Sequence, residues 1–584
     1  VGSEMCIRDR EMNPTANNIP EDGKLYEPDR KEDGTFAFDE NGEPYDYNGD
    51  GLVENLIADP QNDTNGWFHG LGDRGDDSSR YGYRYKDLGS LADFSQENQN
   101  VAAYLEQATL FWADMGVNGI RHDATLHMDA AFAKGLKDAV DSHNTITQFG
   151  EFFIGRPDPK YDEYVYFPKQ TGINNLDFEF YRAASATFGD FSTTMADFGN
   201  MLQYTQDDYD YENQAVTFLD NHDVTRFGYT QRSQKTYNAA LATLLTSRGV
   251  PNIYYGTEQY VVPADGSDVS GRIFMQTDSS FDTDTTAYKL IGKLSELRQQ
   301  NDAIAYGTTT IRYSNDDVLI YERKFYDDVI LVAINRQPDK AYTIDNVETL
   351  LPEGEYVDFL GGMLNGENIS VYASTGINTT ASITLDGGEV GIWQYDAAAN
   401  APEIGNVVST MGRAGNRVYI YGDGLDGNIS VKFGETEATV ESNTANEIVT
   451  YVPDNAVAGY NDITVTKGDA VSNSFTYNVL SGDQNQVIFH VKAETSYGEN
   501  IYIVGNVPEL GSWNPDKCTE ALLNPNYPEW FLPVSVPAGT EIQFKFIKKD
   551  ANGTVTWESG DNRVITSSSL SAGTVDTEVY TWRN

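Results

Sequence analysis

The stretch VNGIRHDATLHM (117–128), a helix-like run, and then ITQFGEFF (146–153) decide the fold. A short apolar strand ends in Arg121-His122-Asp123, and a second strand ends in Glu151. Acidic residues thus close two successive strands with a helix between them, which is where a β/α barrel keeps its chemistry. AVTFLDNHD (215–223) closes on His222 and Asp223 in the same way. Outward from these, Val101, Tyr104, Leu105, Ala108, Phe111, Trp112 and Met115 recur at helical spacing and stop at Gly116. Phe132, Leu136 and Val140 mark the next helix, and NNLDFEF (174–180) reads as a strand followed by a helical stretch. A further helix ends at SRG with Gly249 as its cap, NIYYG (252–256) is the last barrel-type strand, and a helix from Tyr288 to Arg298 closes the series. This alternation predicts a parallel (β/α)8 TIM barrel. Residues 93–302 supply its strands 4–8, so the first three strands are missing and are expected upstream of residue 11.

The remainder of the chain has a different texture. Residues 11–92 are a loop-rich excursion of Gly, Asp, Asn and Tyr with NG and DG turn signals, and DYNGDGLVE (46–54) reads as a turn rather than a calcium loop. After residue 302 no strong helix appears. Three all-β domains follow: 303–398, an immunoglobulin-like sandwich at 402–480, and a β-sandwich at 484–584. DAAANAPEIG (396–405) and Ser481-Gly482-Asp483 are the linkers. VGSEMCIRDR (1–10) has no pattern and reads as foreign sequence, outside the fold.

Among 584 residues, 89 are acidic and 40 basic, a formal net charge of −49. Such a surface repels phosphates and anionic lipid, so neither nucleic acid nor a membrane is a partner. It suits a soluble, secreted monomer. Cys6 and Cys518 are too few for a disulfide framework. The 37 Tyr and 27 Phe fit β-rich domains and sugar-stacking faces.

Carboxylates at one barrel mouth suit glycosidic cleavage, whose oxocarbenium-like transition state is stabilised by nearby negative charge. Asp123 is the candidate nucleophile, and Arg121, two residues earlier on the same strand face, holds it ionised. Glu151 is the candidate general acid and base. Asp223 and His222 bind the sugar and favour its distorted ring. Direct attack by Asp123 requires its carboxyl roughly 5 Å from that of Glu151, the retaining geometry.

GIRHDATLHM, FGEFF, FLDNHD, GVPNIYYGTEQY and SLADFSQEN (90–98) resemble the conserved stretches of the α-amylase superfamily of glycoside hydrolases. IAYGTTTIRYSNDDVLIYERKF (304–325) and the domain order after it resemble cyclodextrin glucanotransferases and maltogenic α-amylases. The resemblance implies a catalytic barrel with an inserted B domain at 11–92, a C domain, an Ig-like (IPT/TIG-like) domain and a starch-binding module. It implies Asp123 as nucleophile, Glu151 as acid/base and Asp223 as transition-state stabiliser, with substrate contacts from Arg121, His127 and His222. Asp268 and Arg272 match a pair that binds glucose units further from the cut, and Phe153 can stack an acceptor sugar. Ca²⁺ is implied through Asp93 and the carbonyl of His127. The family's Asn-His motif is absent. MNPTANNIPEDGKLYEPD (12–29) resembles the family's segment just downstream of that motif, so the sequence is expected to start immediately after it, with a signal peptide further upstream.

The central aromatic ring of cyclising members, four residues before Asp93, is Gly89 here, and a neighbouring family lysine is Leu126. This favours hydrolysis. The expected function is a retaining endo- or exo-acting hydrolase of α-1,4-glucosidic bonds in starch, glycogen-like glucans and maltodextrins, of the maltogenic type, with a capacity for transglycosylation. A cyclodextrin glucanotransferase is the alternative, and an inactive starch-binding protein with an incomplete barrel is the third reading. In the last domain VGNVPELGSW, YPEWF, FKFIKK and WESGDN resemble a starch-binding module. One site is expected from Trp513, Lys545, Trp557, Glu558 and Asn562, and a second from Tyr527 and Asn500. Trp530 is expected in the core.

Overall fold

The computed structural model describes residues 24–584 except 33–34, 41–43, 90, 232, 276–280, 374–377 and 571. The foreign-looking segment 1–10, Cys6 and residues 12–23 lie outside the described residues. The chain forms two compact units, one of Val1–Glu151 with Leu480–Asn584, the other of Phe152–Val479.

In the first unit, strands Leu25–Pro28 and Glu54–Ala58 pair antiparallel. Asp29 is buried beside them and accepts from the backbone N–H of Tyr47 (2.7 Å) and Asn48 (3.0 Å). The DYNGDG segment is a turn, as its composition requires: Asp46 accepts from Gly49 N (2.6 Å) and Gly51 N (2.9 Å). The helix Gln99–Asp114 starts at Asn98, whose side chain accepts from Asn100 N. Its buried face is rotated from the expected one. Val101, Ala102, Leu105, Thr109 and Ala113 are inside, while Phe111, Trp112 and Met115 are exposed. The small residues, one of them polar, take the tight face, and the large rings of the last turn lie against each other instead (5.4 Å). Strands Gly119–His122 and Thr147–Gly150 pair in parallel across the helix Ala130–His143, the βαβ unit that the opening stretch predicts.

The same unit contains a β-sandwich. One sheet runs Leu523–Asn526, Glu529–Pro537, Gln484–Lys492, Thr574–Thr581, and the other centres on Glu541–Lys549. Phe489, Trp530, Phe544 and Phe546 fill it. Its Glu520 pairs with Arg80 (2.8 Å) and Arg84 (3.3 Å) of the short helix Arg80–Tyr85. Arg84 also reaches Asp129 (3.4 Å), to which Tyr85 donates its hydroxyl (2.7 Å). Phe531 packs edge-on against Tyr85 (5.4 Å).

In the second unit Leu176 bridges to Val216, and Val216–Phe218 pairs in parallel with Val250–Asn252. The helix Gln234–Thr246 ends at Thr246, earlier than expected; Gly249 serves the turn into the next strand, at φ +86°. A Cβ there would lie 2.5 Å from the Ala215 carbonyl. Arg248 and Asp177 form an ion pair (2.7 Å) with both side chains at 0% exposure. The helices Gln234–Thr246 and Thr286–Gln300 share a core with the strands Val318–Phe325 and Asp328–Asn335. A second sheet, centred on Tyr342–Thr349 and Thr379–Leu385, covers the other face of these strands, which is why they read as near-continuous apolar runs. Trp393 is buried there, as its position at the end of that domain suggests. Residues 403–479 form a two-sheet sandwich around Val418, Ile420, Phe433 and Tyr477.

Where this sandwich meets the preceding domain, Asp302, Asp327, Asp328, Asp396, Glu403 and Asp423 crowd together. Burial first, and then the neighbouring carboxylates, push Asp302 and Glu403 up to about 7. Tyr306 interacts with both Asp302 and Arg298, and Arg298 spends its donors on the carbonyls of Leu245, Ser247 and Gly249. Lys324 donates to the carbonyl of Tyr326. Because both values exceed those of the unfolded chain, roughly 4, the native state holds extra protons between pH 4 and 7. The stability they contribute is present below pH 4 and is lost as pH rises through 7. Asp302→Asn is therefore expected to raise the melting temperature by about 2–4 °C at pH 8 and by less at pH 4, read by calorimetry. An equal gain at both pH values would contradict the charge argument.

Candidate active site

Within the first unit, the strand Gly119–His122 turns Ile120 and His122 to one side and Arg121 to the other. His122 is 1% exposed and burial pulls it down to about 4, so it is a neutral core group whose Nε2–H donates to Gln148 Oε1 (2.9 Å). Arg121 Nη1 donates to Asp123 Oδ1 (2.6 Å), and its Nη2 lies 3.3 Å from Glu151 Oε2. Glu151 Oε2 accepts from Ala124 N (3.4 Å), and Glu151 N donates to His122 O (2.8 Å). Ala124 has φ +51°, a left-handed turn that ends the strand directly after Asp123. Both carboxylates are buried, at 4% and 9% exposure. One guanidinium thus carries two carboxylates in a water-poor site, where charge interactions are strong. His127 is buried, and its Nδ1–H donates to Tyr83 O (2.9 Å), which fixes its tautomer.

Asp93 lies 2.7 Å from His69 Nδ1, and the other ring nitrogen lies 2.9 Å from Glu97. Burial alone would lower His69, but the bonds and charges of Asp93 and Glu97 outweigh it and push the imidazole up to about 10. A protonated ring on the carboxylate is a poor neighbour for calcium, which needs roughly six to eight oxygen donors. Among the described residues no group of three or more His, Cys, Asp or Glu is placed to hold a metal. Calcium at Asp93 and the His127 carbonyl would have to compete with His69 for the Asp93 carboxylate. Sequence patterns missed His69 because its partners lie 24 and 28 residues away.

In the second unit, strand Val216–Phe218 leads to Asp220, which is buried against Arg226 (3.7 Å) and Phe227 N (2.9 Å). Asn221 Oδ1 accepts from Asp223 N (2.8 Å) and caps the turn that brings Asp223 to the surface. His222 Nε2 lies 2.9 Å from Asp223 Oδ2. Arg272 donates to His222 O (3.0 Å), to Asp268 Oδ2 (2.9 Å) and to Asp223 Oδ1 (3.4 Å). Arg272 thus joins Asp268, its expected partner, to Asp223 and His222. These four side chains are 34–40% exposed, so substrate can reach them. Phe153 is 43% exposed, with its ring centroid 4.2 Å from that of Phe178. Tyr255, 40% exposed just after Val250–Asn252, is an aromatic surface that the strand reading of NIYYG does not anticipate.

In the C-terminal sandwich Trp557 is 40% exposed and Trp513 half-buried, as a stacking platform requires. Lys545 donates to the carbonyls of Glu558 (3.2 Å) and Gly560 (2.6 Å), and Asn562 donates to Gln543 (3.2 Å). Glu558 corrects the expectation. It is 1% exposed, and its carboxylate is filled by Arg563 (2.8 Å) and Phe546 N (3.0 Å), so it is a fold-holding ion pair and not a sugar ligand. Trp530 is core, as expected. Tyr527 is 53% exposed, its hydroxyl accepting from Thr495 N (3.0 Å), and Asn500 is exposed. Tyr497, two residues from Thr495, is fully exposed; a lone ring in the polar run ETSYGEN carries no periodic signal.

Four family models match the chain: an α-amylase catalytic domain over 45–268, an α-amylase C-terminal all-β domain over 312–396, an IPT/TIG domain over 402–480 and a starch-binding domain over 484–577. A cyclomaltodextrin glucanotransferase of Thermoanaerobacterium thermosulfurigenes is 45% identical over 556 residues, covering 94% of this chain and 75% of the relative. The enzyme of that name from Geobacillus stearothermophilus is 41% identical over 554 residues, with the same coverage. The crystal structure of a γ-cyclodextrin glucanotransferase from alkalophilic Bacillus clarkii superposes with a TM-score of 0.83 at 39% identity, over 95% of this chain and 79% of that one.

Proposed function

Because the chain belongs to the α-amylase superfamily, in its cyclomaltodextrin glucanotransferase type, we propose that it transfers segments of α-1,4-glucan from starch or maltodextrin to sugar acceptors. The observation that carries this reading is the single guanidinium of Arg121 shared by Asp123 and Glu151. A nucleophile paired with a cation, beside a carboxyl that must give up and regain a proton, is what a double displacement needs. Asp123 Oδ attacks C1 of the donor sugar, and the C1–O4 bond breaks as Glu151 protonates the leaving oxygen. An acceptor hydroxyl then attacks C1, the ester bond to Asp123 breaks, and the hydroxyl proton passes to Glu151. Asp223, held by His222 and Arg272, takes the role of transition-state stabiliser that the family resemblance implies. His127, with its proton fixed on Nδ1, contacts the donor sugar. The C-terminal module adsorbs to starch through Trp557 and Trp513 and through the second surface of Tyr527 and Tyr497. The −49 charge suits a secreted enzyme.

Maltogenic hydrolysis is the second reading, and Gly89 favours it. At φ +65° with nothing within 4 Å of a Cβ, this position offers no ring for a glucan to coil around. Incubation with a maltooligosaccharide of one chain length separates the two. Transfer predicts scrambling into longer and shorter oligosaccharides, with linear products outweighing cyclic ones. Shorter products alone would favour the hydrolase, and adsorption to granules without turnover would leave only starch binding.

A further inference from the structure

The exposed ring of Phe153 sits at the head of a loop that is gripped from below. Phe178, itself at 0% exposure, backs the ring, and the Arg182 guanidinium lies 5.9 Å from its centre. Phe178 and Arg182 are four residues apart on the helix Phe178–Ala184, so they share a face. The loop then passes Gly155. A Cβ there would lie 2.4 Å from Arg182 Nη1 and 2.6 Å from Glu179 Oε2, so only glycine lets both side chains close on the backbone. Glu179 Oε2 accepts from Arg156 N (2.7 Å), and its other oxygen accepts from the Tyr204 hydroxyl. The Arg156 guanidinium lies over Tyr204 (4.1 Å) and Tyr161 (4.8 Å) and pairs with Asp208. Glu179 is 6% exposed, and a buried carboxylate persists only where such donors satisfy it.

We propose that Glu179 and Arg182 are positioning residues for the acceptor: they fix the loop Phe153–Arg156 so that the Phe153 ring offers one stacking face to the incoming sugar. This rests on the transfer reading above. A sugar stacked on a fixed ring holds its hydroxyl in attacking geometry, whereas a loose ring surrenders the glycosyl group to water. In either case the C1–ester bond to Asp123 breaks, a new C1–O bond forms, and the displaced proton passes to Glu151. The clamp therefore sets the partition between transfer and hydrolysis and not the rate of donor cleavage.

The test uses the full 584-residue chain with α-maltotriosyl fluoride as donor and maltose as acceptor, tracking fluoride release and transfer product together. For Arg182→Ala and Glu179→Ala the acceptor KM is expected to rise about fivefold, with a matching fall in the transfer-to-hydrolysis ratio and less than a twofold change in donor KM. Arg182→Lys and Glu179→Gln, which keep a cation and an acceptor oxygen, should recover most of the loss, and they carry the test if an alanine variant fails to fold. Phe153→Ala should reproduce the effect. Donor and acceptor constants moving together, or neither moving, would overturn the clamp. Fluoride release by the unaltered chain with no transfer product at any maltose concentration would instead overturn the transfer reading, and the clamp with it.

Discussion

Asp123→Asn is expected to lower kcat/KM on maltodextrin by about 10⁴-fold or more, with the fold intact by circular dichroism. The amide cannot form the ester to C1, and it offers Arg121 Nη1 no charge to balance at 2.6 Å. Glu151→Gln should behave differently. It removes the proton donor but leaves the nucleophile, so it should cripple cleavage of a glucoside and largely spare the first step on a glycosyl fluoride, whose leaving group needs no proton. Rates for both variants on maltodextrin and on α-maltotriosyl fluoride distinguish the roles. If Asp123→Asn stays within tenfold of the unaltered chain on both substrates, Asp123 is not the nucleophile. If the first-turnover release of fluoride by Glu151→Gln falls as far as its cleavage of maltodextrin, its assignment as the acid fails.

The second large effect is on stability. Arg248→Met is expected to destabilise the second unit by about 3–5 kcal/mol, because it strands a carboxylate in a dry interior. Asp177 Oδ2 would lose its bond from Arg248 Nη1 (2.7 Å), and Thr205 would lose donors at 2.9 and 2.6 Å. The remaining contacts of Asp177, from Phe180 N (2.9 Å) and the Tyr209 hydroxyl (3.2 Å), do not neutralise it. Asp177→Asn combined with Arg248→Met removes both charges and should cost less than Arg248→Met alone. Urea unfolding monitored by a signal local to the second unit checks this, and a single variant milder than the double one would refute the account.

Much of this was legible in the sequence because it depends on neighbours along the chain. Arg121 and Asp123 sit two apart on one strand, so alternation alone puts them side by side. Caps such as Asn98 and turns such as Asp46 to Gly51 are equally local. What the sequence hid depends on side chains meeting across loops. Glu558 looks like a ligand in WESGDN, and only the fold brings Arg563 and Phe546 N onto its oxygens. Arg272 is 49 residues from Asp223, and His69 is 24 from Asp93. The helix Gln99–Asp114 shows a different limit. Its apolar residues outnumber one face, and periodicity alone could not say that Thr109 and Ala113 would go in and Trp112 stay out.

The ion pairs of Glu520 with Arg80 and Arg84 bear on how this module can be exchanged by engineering. Starch-binding sandwiches invite grafting as if each were a bead on a string. Here the bead is buttoned to its neighbour: a replacement that lacks an acid at the position of Glu520 would leave two arginines facing each other beside Asp129, and one that lacks Phe531 would uncover Tyr85. Chimeras from this chain should therefore carry the helix Arg80–Tyr85 and the sandwich as a matched set, inherited together or not at all.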